Sequence, residues 1–167
     1  ESIDGIRVLR TWMYLTANEG FLRRTLNYVL FAATAVLASL RVGRPDIVVA
    51  TSPQFFVGLA GMIVSRLKRR PFALEVRDLW PESIVALGQL RSPRAIRLLE
   101  AVETLLYRSA AGIVVVTLAF AEHIRARGIA ADRIELIYNG IDPALFHPGP
   151  RDAALLEKNG LTGKFLV

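Results

Sequence analysis

The sequence predicts an α/β fold, a doubly wound parallel sheet with helices on both sides. Three observations carry that prediction. Short runs rich in Val, Ile and Leu recur at 46–50, 72–76, 113–116 and 134–138, apolar in consecutive positions as strands buried in a parallel sheet are. Segments of helical spacing separate them, as βαβ connections require. Each strand run stops abruptly at a polar turn, and the carboxyl edge of such a sheet is where ligands bind.

Taken in order, Ile6 to Arg10 reads as a short strand and Thr11 to Gly20 as a linker carrying Trp12, Tyr14 and Asn18. Phe21 to Val42 has helical spacing and ends at Gly43-Arg44-Pro45. Asp46 to Ala50 is a β-branched strand, and Thr51-Ser52-Pro53 turns it into a helix over Phe55 to Arg69. Cations fill the last turn of that helix, where they complement its dipole. Phe72 to Val76 is a strand ending in the Arg77-Asp78 turn. Ser92 is an N-cap with Pro93 at the first helical position, opening a helix to Ser109. Ile113 to Val116 is a strand, and Leu118 to Arg127 a helix closed by Gly128. Ile134 to Tyr138 is the last strand, ending at Asn139-Gly140-Ile141-Asp142. Beyond Pro143 the chain turns rich in Pro, Gly and charge, as a linker does, and Lys164 to Val167 reads as the opening of another strand.

The composition sets limits. The chain has 167 residues, 53% of them hydrophobic and 22% charged, enough for one domain with a sizeable core. It has no cysteine, which excludes disulfides, thiolate metal sites and a cysteine nucleophile and fits a reducing compartment. The net charge of +6 favours anionic partners such as phosphorylated ligands or a membrane surface. No nucleic-acid-binding motif accompanies the charge. The run Leu26 to Leu40 is shorter than the roughly 18 apolar residues of a membrane span, so a buried helix is expected there, with a membrane-inserted or interfacial segment as the alternative.

The residues that could carry chemistry lie at strand ends. Arg77 can bind phosphate or sugar hydroxyls, and Asp78 can accept hydrogen bonds from sugar hydroxyls; the alternative is an ion pair between them. Ser52, before a helix N-terminus, suits either an anion or plain helix capping. Asn139-Gly140 is a turn dipeptide by default, though its place before a linker suits a cleft. Glu100 and Glu103 share a helix face and are expected to be solvated or ion-paired, with Arg97 and Arg108 nearby. His123 and His147 belong to no triad or metal cluster and are expected at the surface. Glycine-rich phosphate loops and Asp-x-Asp pairs are absent from the sequence, which argues against a dehydrogenase, an NTPase or a metal-gripped diphosphate.

The run Glu75-Val76-Arg77-Asp78-Leu79-Trp80-Pro81-Glu82-Ser83, with Pro45-Asp46, Thr51-Ser52-Pro53, Glu103 to Tyr107, Val114 to Thr117 and Asn139-Gly140-Ile141-Asp142, resembles glycosyltransferase family 4 along essentially the whole chain. In particular it resembles bacterial enzymes that transfer N-acetyl-fucosamine in O-antigen and capsule assembly. The resemblance implies a GT-B enzyme of two Rossmann-like domains. Residues 1–143 would be the N-terminal, acceptor-side domain without its first strand or strands, and 144–167 the linker and start of a donor-binding domain. The implied activity is retaining transfer from a nucleotide-sugar, UDP-linked, to a polyprenyl-diphosphate-linked saccharide, with no metal and no further cofactor. The implied place is cytoplasmic, peripheral to the inner face of the bacterial cytoplasmic membrane, in contact with its anionic surface. With the donor half absent, this chain alone is expected to be inactive. Carried over by position, Asp78 and Arg77 are the catalytic candidates, Arg77 standing where many relatives have histidine. Glu82, Thr117, Asn139, Gly140 and Asp142 are substrate-binding candidates, with Ser52 beside them. A sugar-nucleotide epimerase of the same architecture and a non-catalytic membrane-surface module are the alternative readings.

Overall fold

The computed structural model describes residues 1–14, 21–52 and 55–165. It opens with a hairpin, β1 (Ser2–Ile3) against β2 (Ile6–Arg7), closed by Asp4-Gly5, both at positive φ. Asp-Gly is the dipeptide that such a two-residue turn favours. The strand expected over Ile6 to Arg10 is therefore shorter and pairs locally, apart from the main sheet. Of the expected linker, residues 15–20 lie outside the described residues.

Helix α1 (Phe21–Ser39) leads to β3 (Val48–Thr51), α2 (Phe55–Lys68) and β4 (Phe72–Val76). A short helix, α3 (Glu82–Ala86), follows, then α4 (Pro93–Ser109), β5 (Gly112–Val115) and α5 (Leu118–Ala126). A 3-10 turn (Ala131–Arg133) enters β6 (Ile134–Leu136), and α6 (Ala153–Lys158) lies within the stretch expected to be linker. The sequence signal for α6 is Asp152, whose carboxylate caps Leu155 N at 2.9 Å before Ala-Ala-Leu-Leu. Ser92 and Thr117 cap α4 and α5, and Gly128, at φ 79°, ends α5 as expected.

The main sheet is parallel, in the order β3-β4-β5-β6. This is the α/β class that the sequence predicts. Because neighbouring strands follow chain order, right-handed crossovers carry every connecting helix to one face. That face holds Ala50, Phe72, Leu74, Val76, Ile113, Val115 and Ile134, and α2, α4 and α5 cover it. The other face holds Val49, 61% exposed, with Ala73, Glu75, Val114 and Glu135. Among the described residues the covering is one-sided, where helices on both sides were expected. Runs of β-branched residues cannot distinguish the two cases.

Two packing details fix the layers. At Gly61 a Cβ would lie 2.5 Å from Ala50 Cβ, so glycine lets α2 settle directly on β3. Phe72, 1% exposed, fills the space beside it, a burial worth roughly 1.5–3 kcal/mol. Helix α1 packs mainly on α2 and leaves Leu26, Val29 and Leu37 exposed, as is Leu40 just past its end. The buried helix expected at 26–40 is thus only half buried. No helix among the described residues is long and apolar enough to cross a membrane.

Candidate active site

Four parallel strands deliver four turns to one edge. Ser52 follows β3, Arg77 and Asp78 follow β4, Thr117 lies beyond β5, and Asn139-Gly140 lies beyond β6. The sheet order lines up along one edge residues up to 87 positions apart in the chain (52 to 139), with the β3 and β6 exits at its two ends.

The turns are tied together by side chains. Ser52 N extends the ladder to Glu75 O at 2.8 Å. Ser52 Oγ accepts from Arg77 N at 3.2 Å and donates to Asp78 O at 3.2 Å. This serine therefore holds the Arg77-Asp78 turn. Thr51 Oγ1 donates to Glu75 Oε2 at 2.7 Å, pinning a carboxylate on the open face of the sheet. The Arg77 guanidinium donates to Asn139 Oδ1 at 2.7 Å. That contact joins the β4 and β6 exits, where an Arg77–Asp78 pair was the alternative. Asn139 keeps its amide N–H groups to donate elsewhere, and Arg77 keeps most of its five donors.

The other sequence candidates sit further out. Thr117 Oγ1 accepts from Phe120 N at 3.2 Å as the α5 cap. Asp142 Oδ1 accepts from Ala144 N at 2.9 Å and so shapes its own turn. Gly140 is exposed, with open space around it. Glu82 turns away to α5, where its Oε2 lies 3.2 Å from His123 Nδ1.

Asp78 opens onto a cavity of about 250 Å³ between α1, the start of α2 and α3. Its walls are Tyr28, Phe55, Phe56, Trp80, Ile84 and Leu87, with Arg24, Ser83 and Gln89 as polar groups. Trp80 stacks on Phe55 at 5.6 Å between centroids and 25° between planes, which sets the aromatic floor. Arg24 donates to Gln89 Oε1 at 2.9 Å, joining α1 to the turn after α3. An aromatic floor with a carboxylate and a few polar groups suits a hydroxyl-rich ring with an apolar face. Arg24, Tyr28 and Gln89 are not legible as site residues in the sequence, because nothing in their local pattern shows that α1 folds back toward Asp78. Ser83, rather than Glu82, is the acid run's neighbour that faces this cavity.

Behind the edge lies a buried polar layer that the sequence reading also placed differently. Glu103, 3% exposed, accepts from Tyr107 Oη at 2.7 Å and faces the Arg127 guanidinium at 3.5 Å. Arg127 also reaches Glu100 at 3.4 Å. The acids are ion-paired as expected, but with α5 rather than with Arg97 or Arg108. Burial raises the Glu103 carboxyl above the usual range, against the lowering effects of the Tyr107 hydrogen bond and Arg127. Burial, and next the Glu103 charge, push the Tyr107 hydroxyl up as well. His123, expected at the surface, is largely enclosed, and its Nε2 is buried without a hydrogen-bond partner among the described residues. The sequence signal was a glutamate set in an apolar stripe with Leu99, Leu106 and Tyr107.

Among the described residues no group of three or more His, Cys, Asp or Glu side chains could hold a metal ion. No curated protein matches the chain. The family described as Glycosyl transferase 4-like domain matches residues 1–140, a span that takes in every strand of the sheet and the exits at Ser52, Arg77-Asp78, Thr117 and Asn139. With that span covering most of its length, the chain belongs to the glycosyltransferase 4-like family.

Proposed function

We propose that this protein transfers a sugar from a nucleotide-sugar, UDP-linked, to a lipid-linked saccharide with retention of configuration, and that the described residues form the acceptor side. The observation that carries the reading is Asp78, held at the β4 exit by Ser52 and facing the aromatic cavity. In the reaction the bond between the donor's anomeric carbon and the nucleotide's phosphate oxygen breaks. A new bond forms to an acceptor oxygen, whose proton passes to the phosphate oxygen of the departing nucleotide. Asp78 would accept a hydrogen bond from a sugar hydroxyl and so fix its orientation. Arg77, paired with Asn139, would face developing negative charge with donors already in place. A general-base role does not fall to Arg77, because a guanidinium offers hydrogen-bond donors and no acceptor.

The narrower reading, an N-acetyl-fucosamine type of transferase in O-antigen or capsule assembly at the inner face of the bacterial cytoplasmic membrane, rests on the sequence resemblance. So does the assignment of 144–167 as passage to a donor-binding domain. Glu82, Thr117 and Asp142 enter the proposal as supports of the cleft wall, given the contacts they make, and Gly140 as the open turn position beside Asn139.

The test is Asp78→Asn in the whole protein, assayed by sugar transfer to a lipid-linked acceptor. A loss on the order of 10²-fold or more with unchanged thermal melting is expected, the scale on which positioned acid–base and orienting groups act. Transfer at near the parent rate would remove Asp78 from the mechanism.

A further inference from the structure

Two cavities meet at Phe56. The first is the cavity of about 250 Å³ in front of Asp78. The second, of about 240 Å³, continues between α1 and α2, walled by Val29, Ala33 and Val36 on one side and Leu59 and Ile63 on the other. Every side chain lining the second cavity is apolar. Tyr28 lines the first and the next residue, Val29, the second, so the two cavities also lie next to each other along α1. Arg24 is the one cation among the residues lining the first cavity. Its partner Gln89 is neutral, so that bond leaves the guanidinium charge uncancelled.

We propose that the two cavities are one site for an amphiphile: a hydrocarbon chain in the α1–α2 groove, its phosphate at Arg24 and its sugar at Asp78. The sugar end rests on the transferase reading, whereas the chain and phosphate ends rest on the cavities themselves. From Val29 to Val36 the groove runs about 10 Å along α1, at about 1.5 Å per residue, which holds the first isoprene units next to a head group. Water in that groove meets no hydrogen-bonding side chain, so an apolar chain displaces it favourably. The Arg24 guanidinium, one turn before Tyr28 on the wall of the head cavity, is a group of the kind that recognises phosphate. The arrangement selects phosphate-linked acceptors over neutral glycans, and chain-bearing over soluble ones.

The chain has two tryptophans, Trp12 and Trp80, and Trp80 lines the head cavity. In a Trp12→Phe background, Trp80 fluorescence reports binding of farnesyl diphosphate directly, without a donor sugar. Saturable binding is expected, with inorganic diphosphate and farnesol each weaker. Ala33→Glu and Ile63→Glu, both at exposed positions on opposite walls, each weaken farnesyl diphosphate by about tenfold or more by putting charge into the groove. Leu98→Glu, an exposed control on α4, leaves it unchanged. Arg24→Gln reduces the preference for farnesyl diphosphate over farnesol. Unchanged affinity in both groove variants, with normal circular dichroism melts, overturns the chain site. Equal binding of farnesyl diphosphate and farnesol to the parent overturns the Arg24 assignment. Loss of binding to phosphatidylglycerol vesicles without loss of farnesyl diphosphate would make the groove a bilayer contact and overturn the proposal. A self-associating parent whose dimer is dissolved by Ala33→Glu and unaffected by farnesyl diphosphate would do the same. Asp78→Asn should cut transfer on the order of 10²-fold or more but keep farnesyl diphosphate binding, so the two readings fail separately.

Discussion

Gly61 offers the sharpest stability prediction, because helix propensity and packing oppose each other there. Glycine inside a helix is worse than alanine by about 1 kcal/mol, so propensity alone says that Gly61→Ala should stabilise α2. The added Cβ, however, would stand 2.5 Å from Ala50 Cβ and 3.0 Å from a ring carbon of Phe72. The first neighbour is fixed to the backbone of β3 and cannot rotate away. Relief requires α2 to lift off the sheet, and overpacking of this kind costs typically ~1–3 kcal/mol. The net for Gly61→Ala is then a loss of up to about 2 kcal/mol, and Gly61→Val loses more. Gly58 is the internal control. A Cβ there would meet Leu106 Cδ1 at 3.3 Å, the end of a flexible side chain that can give way. Gly58→Ala should therefore be neutral or stabilising by a few tenths of a kcal/mol up to about 1 kcal/mol. Urea titration of the three proteins decides the matter through the midpoint, provided that the slope is unchanged. A Gly61→Ala protein at least as stable as Gly58→Ala would refute the close approach of α2 to β3, and with it the placement of Phe55 and Phe56 at the site.

Glu103→Gln tests the buried layer by its pH dependence. Burial holds the folded carboxyl above its unfolded value near 4.5, so the stabilising effect of its proton is fully present below that pH and fades as pH rises through the folded value. Glutamine keeps an acceptor for Tyr107 and cannot ionise. The melting temperature of Glu103→Gln should therefore gain on the parent from acid toward neutral pH, and a pH-independent difference would exclude the raised carboxyl. Thr117→Ala should cost about 1 kcal/mol through loss of the α5 cap, with Thr117→Ser restoring it. Restored stability without restored transfer in the serine variant would instead point to a ligand contact through the threonine methyl.

How far the fold was legible depended on the range of the cause. Helix α4 was readable to the residue, because Ser92, Pro93 and the apolar stripe after them act locally. Gly128 likewise ended α5 through its own φ. The strand runs at 72–76 and 113–116 were legible as strands, but whether one or two faces are covered is decided by strand order, which no single run encodes. The hairpin at Asp4-Gly5 and the capped α6 had local signals that the chain's Pro, Gly and charge content masked. At the site, the strand exits were legible and their partners were not. Arg77 meeting Asn139 across 62 positions, or Arg24 meeting Gln89 across 65, follows only from the packed sheet and from α1 lying on α2.

Strands that lie side by side in the order in which they are translated have an evolutionary consequence. Adjacent exits are about 4.8 Å apart, so the row from β3 to β6 spans roughly 14 Å, with each position on it written by one short stretch of sequence. A substitution or insertion in one loop alters one station of that row and leaves its neighbours' framework intact. Such an edge behaves like a short keyboard, on which the preference for each part of a bound molecule can drift separately. The Ser52 and Arg77–Asn139 ties are the exceptions: the first binds adjacent keys and the second reaches across the β5 key, so changes at those positions should be found in pairs.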